Sequence, residues 1–145
     1  MDKRSDNDIL NDVYQNAHIA LQSISNVLES DVKGEIREEL KVEYQGYEKV
    51  MKDIESYMNQ KGLEPKDING MKKAMLKGSI KMKTFVNDEP EKIADMMVKG
   101  TVMGITELMA IKNDKTLDLS DDVYGFVNSL LALEERYEER LKKYL

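Results

Sequence analysis

The chain has 145 residues, of which 41% are hydrophobic and 34% charged, with a formal net charge of −6. That length suits one domain with a real core and is too short for two comfortable ones. The lack of cysteine rules out disulfide frameworks, thiolate nucleophiles, iron–sulfur clusters and cysteine-type zinc sites, and the acidic balance disfavours general nucleic-acid binding.

Two prolines and eight glycines leave too little punctuation for an all-β fold. With no Trp and only two Phe, the core must be built from aliphatic residues, ten Met and some of the seven Tyr. The polar start MDKRSDND is not the pattern of a secretory leader, and no apolar run is long enough to span a bilayer, so the expected location is the cytoplasm.

In chain order, the first expected helix covers 8–29. Leu10, Tyr14, Ala17, Leu21, Ile24 and Leu28 recur at steps of three and four, with Asp6 or Asn7 as cap. The second covers 35–60, with Ile36, Leu40, Glu43, Tyr47, Val50, Ile54 and Tyr57 on its seam and Gly62 and Pro65 after its end. A few residues join these two, so they are antiparallel neighbours. A shorter amphipathic helix is expected over 68–86. The next long helix covers 90–112, opened by Asp88 and Pro90, with a seam of Ile93, Met97, Gly100, Gly104, Glu107 and Ile111. Gly100 and Gly104 lie one above the other, which invites a close-packed neighbour. The last helix covers 121–144, capped by Ser120, with Val123, Val127, Leu130, Glu134, Tyr137, Leu141 and Tyr144 on its seam.

Short links within each pair and a long link between the pairs predict an all-α four-helix bundle with one crossover connection, in a single domain spanning 1–145. The heptad spacing also permits a coiled-coil dimer.

The chain resembles the ferritin-like superfamily, and more narrowly its small uncharacterised bacterial members. The matching pieces are Asp12-Val13-Tyr14-Gln15-Asn16-Ala17, Gly46-Tyr47-Glu48, Met103-Gly104-Ile105-Thr106-Glu107, and Glu134-Glu135 followed by Arg140-Leu141-Lys142. The resemblance implies the bundle and no known activity for this branch. The wider superfamily holds two iron or manganese ions with a Glu from each of two helices and a Glu-x-x-His pair from each of the other two. This chain departs from that set. Its one histidine is His18, and it reads Glu43-Tyr44-Gln45-Gly46 and Glu134-Glu135-Arg136-Tyr137 where such pairs would stand.

Glu43, Glu107 and Glu134 are the sharpest local feature, one carboxylate on the apolar seam of each of three helices. A buried carboxylate needs a cation, hydrogen bonds or a bound proton. With His18 they are the candidate ligands for iron or manganese, set against the plainer reading of edge positions or ion pairs; no cofactor is the leading expectation. A second feature is the run 71–86, with five lysines, no acid and a Met-rich apolar side. It suits a membrane surface or a partner groove, or simply complements an acidic body. The leading expectation is a non-enzymatic bundle acting by self-association or protein docking, with Leu108, Met96 and Leu131 as an oligomer face. The alternatives are a degenerate carboxylate metal binder and a membrane-surface or coat-type protein using 71–86.

Overall fold

The computed structural model describes residues 4–63 and 89–145. They form four long helices: α1 (Asp6–Leu28), α2 (Glu35–Gln60), α3 (Pro90–Lys112) and α4 (Asp121–Leu141), closed by a 3-10 turn at Lys142–Tyr144. The fold is an all-α bundle, and no strand occurs among the described residues. The expected helix over 68–86 and the basic run 71–86 lie outside the described residues.

Each helix end has a local cause. Ser5, rather than Asp6 or Asn7, caps α1. Its Oγ accepts from the Asp8 backbone N–H at 3.2 Å while the Asp8 carboxylate accepts from the Ser5 N–H at 3.0 Å, a reciprocal capping box. Helix α2 follows Gly34 at φ 89°, a left-handed backbone that glycine adopts without penalty. It ends in a Schellman motif, in which the Leu63 N–H reaches the Met58 carbonyl at 2.9 Å across Gly62 at φ 66°. Helix α3 has Pro90 in its first turn and Glu89, not Asp88, as its cap residue. Ser120 caps α4 through the Val123 N–H at 3.3 Å. Helix α4 stops at Leu141, where the chain tightens into the 3-10 turn rather than continuing to Tyr144.

Cross-helix contacts fix the directions. Tyr14 donates to Glu55, and Arg37 donates to the Leu28 carbonyl at 3.1 Å, so α1 and α2 are antiparallel. Arg140 reaches Glu39, and Tyr57 meets Phe126 edge-on, so α2 and α4 are antiparallel. Asn16 donates to the Gly104 carbonyl, and the Ser120 N–H donates to Asp6, which sets α1 against α3 and alongside α4. Helices α2 and α3 therefore point the same way.

The core runs the length of the bundle through Leu10, Ile24, Ile36, Leu40, Ile54, Ile93, Leu130 and Leu141. Helix α3 departs from its expected seam. Its buried side passes through Met97, Thr101 and Leu108, because the stripe steps by four after Met97 and turns Gly100 and Glu107 outward. The expected oligomer face is not exposed. Leu108 and Leu131 are core residues, 0% and 4% exposed, and Met96 is half-buried. No helix among the described residues is long and apolar enough to cross a membrane.

Candidate functional site

A cleft of about 310 Å³ opens between α1 and α3. Its walls are Ile19, Ala20 and Ser23 on α1 and Met96, Met97, Gly100, Thr101 and Met103 on α3. Its floor is polar: Asn16 from α1, Tyr47 from α2, Gly104 from α3 and Glu134 from α4, with Glu107 of α3 at the rim. An apolar vessel with a few convergent polar groups is the usual form of a small-molecule site, and the volume is at the small end of that class.

Gly104 makes the floor. A Cβ at this position would lie 2.7 and 2.8 Å from the two Glu134 carboxyl oxygens and 3.1 Å from Asn16 Oδ1. The absent side chain thus lets a carboxyl and an amide from two other helices gather over the α3 backbone. Gly100, one turn earlier, has nothing within 4 Å of its Cβ position. The paired glycines therefore serve a side-chain cluster at one position and nothing comparable at the other.

The hydrogen bonds leave a mismatch. Asn16 uses its amide N–H groups on the Gly104 carbonyl at 3.1 Å and, more weakly, on Glu107 at 3.5 Å. Its orientation is thereby set, since a flipped amide would face its oxygen to a carbonyl. The Tyr47 hydroxyl donates to Glu134 Oε2 over a long 3.4 Å. Asn16 Oδ1 and Glu134 Oε1 are buried and accept no hydrogen bond from any described residue. Asn16 is 5% exposed and Glu134 1%.

Burial pushes the Glu134 carboxyl up to about 8, with the Tyr47 hydroxyl partly opposing and the Glu107 charge reinforcing the rise. Glu107 stands at the rim. Partial burial and the neighbouring Asp12 raise its carboxyl, while Asn16 and Arg4 lower it. Burial also lifts the Tyr47 phenol well above its ordinary range, and Glu134 and Glu43 add to that rise.

The structure brings together only part of the expected set. Glu107 and Glu134 share the cleft. Glu43 does not line it: one turn before Tyr47, its carboxyl meets that of Glu39, which is paired with Arg140 at 2.8 Å. Desolvation and then the Glu39 carboxyl push Glu43 upward, with Arg140 opposing. His18 is buried beside Tyr14, its ring stacked at 6.3 Å, and does not line the cleft. Among the described residues no three His, Cys, Asp or Glu side chains gather as a metal-holding group. The donor set does not fit a two-ion carboxylate centre, which needs bridging acids and imidazoles in one place.

Reading the sequence missed Asn16, the purpose of Gly104, and the Glu39–Arg140 pair. Glu39 was findable, since it stands one helical turn before Glu43. Asn16 had a fainter signal, a polar residue flanked by Val13 and Ala17 on the buried side of α1. A comparison with family models, curated proteins and solved structures finds no match to the chain.

Proposed function

We propose that this protein is a ferritin-like bundle that works by binding a small amphipathic molecule in the α1–α3 cleft, without catalysis and without a metal centre. One observation carries the reading: two buried polar atoms, Asn16 Oδ1 and Glu134 Oε1, stand without a partner among the described residues at the floor of an apolar cleft. A buried polar atom without a partner costs about 1–3 kcal/mol, and a ligand head group that satisfies it recovers that cost. The apolar walls then take the rest of the molecule.

Titration with hexan-1-ol, followed through methionine methyl NMR signals, tests this. Shifts are expected at Met97 and Met103, and Gly100→Leu, which fills the cleft from an unobstructed position, should abolish them. Shifts that survive Gly100→Leu, or no shift up to the solubility limit with either hexan-1-ol or hexylammonium, would overturn the reading.

A second reading is self-association through α3. Val102 and Met109 are exposed on its outer side, and Met103, at the lip of the cleft, is 75% exposed. Isolated exposed methionines are ordinary, but a row along one helix suits a partner. Light scattering of the full chain and of Met103→Glu tests it: a dimer that the substitution dissolves supports docking, and a monomer in both sinks it.

A further inference from the structure

With Glu134 ionised, the cleft floor is rich in acceptors and poor in donors. Asn16 has its N–H groups engaged and offers only its oxygen. Glu134 offers Oε1, and Glu107 adds a carboxylate at the rim. The Tyr47 proton points to Glu134. No lysine, arginine or histidine is among the described lining residues. The nearby guanidinium of Arg4 is bonded to Asp12.

We infer that the cleft takes a small organic cation, an alkyl chain ending in a primary ammonium group, with its head among Glu134, Asn16 and Glu107 and its chain along Met97 and Ile19. This rests on the cleft being a ligand site and names the chemistry of the ligand. Three N–H donors of one ammonium match the three acceptor groups, two on the floor and one at the rim. A hydroxyl head supplies a single donor, and a carboxylate head supplies none and meets the Glu107 carboxyl, with a second like charge at Glu134 once that group ionises. A bare divalent ion finds too few ligands here, whereas an ammonium needs only directed acceptors.

The same geometry couples binding to a proton. Among the described residues the groups facing Glu134 are Tyr47 from α2, Asn16 from α1 and Glu107 from α3; none of these is a cation, and the neutral carboxylic acid is the resting form below about pH 8. An ammonium entering the floor favours the carboxylate, so that proton leaves as the ligand arrives. The alkylammonium keeps its charge throughout this range, as a lysine does. Affinity therefore rises as pH is raised toward 8.

Calorimetry on the full chain with hexylammonium, hexan-1-ol and hexanoate tests the inference, run in buffers of differing ionisation enthalpy. Hexylammonium is expected to bind about tenfold or more tighter than the alcohol, with proton release, and hexanoate more weakly than either. Glu134→Gln should remove the ammonium's advantage over the alcohol and its proton release. Equal affinities for amine and alcohol, or an advantage that survives Glu134→Gln, would overturn the cation inference alone. Failure of both amine and alcohol to bind would overturn it together with the cleft reading.

Discussion

Glu43 and Glu134 are equally buried, each 1% exposed, yet they live in opposite surroundings. Around Glu43 the interior is closed. Its carboxyl meets that of Glu39, Arg140 supplies a cation, and Tyr137 covers Gly46 so tightly that a Cβ there would lie 2.0 Å from the phenol oxygen. Tyr47 and Tyr137 pack edge to face between the two regions at 5.4 Å. Around Glu134 no described residue supplies a cation, and the side chain borders a cleft. Both carboxyls are raised by burial first. Each region keeps unmatched oxygens, Glu39 Oε2 and Glu43 Oε2 in one and Asn16 Oδ1 and Glu134 Oε1 in the other; the difference is that one packs them in a closed interior beside a cation and the other sets them against a cleft. Burial of a charge-bearing group is thus not itself a sign of a site; adjoining volume with unmatched polar atoms is.

The largest expected effect follows from the Glu134 proton. Its folded pKa, about 8, is above the unfolded value of 4.5. The folded state therefore holds a proton that the unfolded chain gives up, and stability declines between those values. It is full below about 4.5 and is lost as pH rises through about 8. Glu134→Gln keeps the shape without the titration. It should match the parent near pH 4.5 and exceed it above pH 8, by up to about 5 kcal/mol, less what relaxation and entering water recover. Urea unfolding from pH 4.5 to 9 measures this. If the two stability curves run parallel, Glu134 is not an uncompensated carboxyl and the contrast between the regions disappears.

The closed region should be the less forgiving of added volume. Gly46→Ala drives a methyl into the hydroxyl end of Tyr137, whose ring is held against Tyr47. Overpacking of this kind costs about 1–3 kcal/mol, more than the helix propensity gained over glycine, so a net loss near 2 kcal/mol is expected. Thermal or urea unfolding reads it directly. A neutral outcome would mean that Tyr137 swings away freely and that the region is not closed.

The bundle was legible because its signal is redundant. Seams of Leu, Ile, Val and Met repeat over many turns, so α2 and α3 keep their expected bounds and the all-α class survives local errors such as the Ser5 cap. The seam of α3 was less secure, since steps of three and four fit two adjacent stripes, one through Gly100 and Glu107, the other through Thr101 and Leu108. Only contact with α1 and α4 decides between them. The site was legible in one member and obscure in the others. Glu134 announced itself as an acid among apolar seam residues, and Glu107 was named for the wrong reason, since it stands at the rim rather than in the core. Asn16, Gly104 and Tyr47 meet Glu134 from three other helices, and no periodicity within one helix encodes that meeting.

The smallest expected effect separates the two glycines of α3. Alanine at Gly100 meets no atom within 4 Å, so it should gain helix propensity, up to about 1 kcal/mol, with nothing opposing it. Alanine at Gly104 gains the same propensity, but its methyl falls 2.7 and 2.8 Å from the Glu134 oxygens and 3.1 Å from Asn16 Oδ1. The space around Gly46 ends in a ring; here it ends in a carboxyl beside a cleft, which has somewhere to move. The expected result is a smaller loss than at Gly46, near zero net, and a gap of about 1 kcal/mol between Gly100→Ala and Gly104→Ala in urea unfolding. Equal gains at both positions would mean that the carboxyl and amide are not held over Gly104, and the floor that distinguishes this region would lose its physical basis.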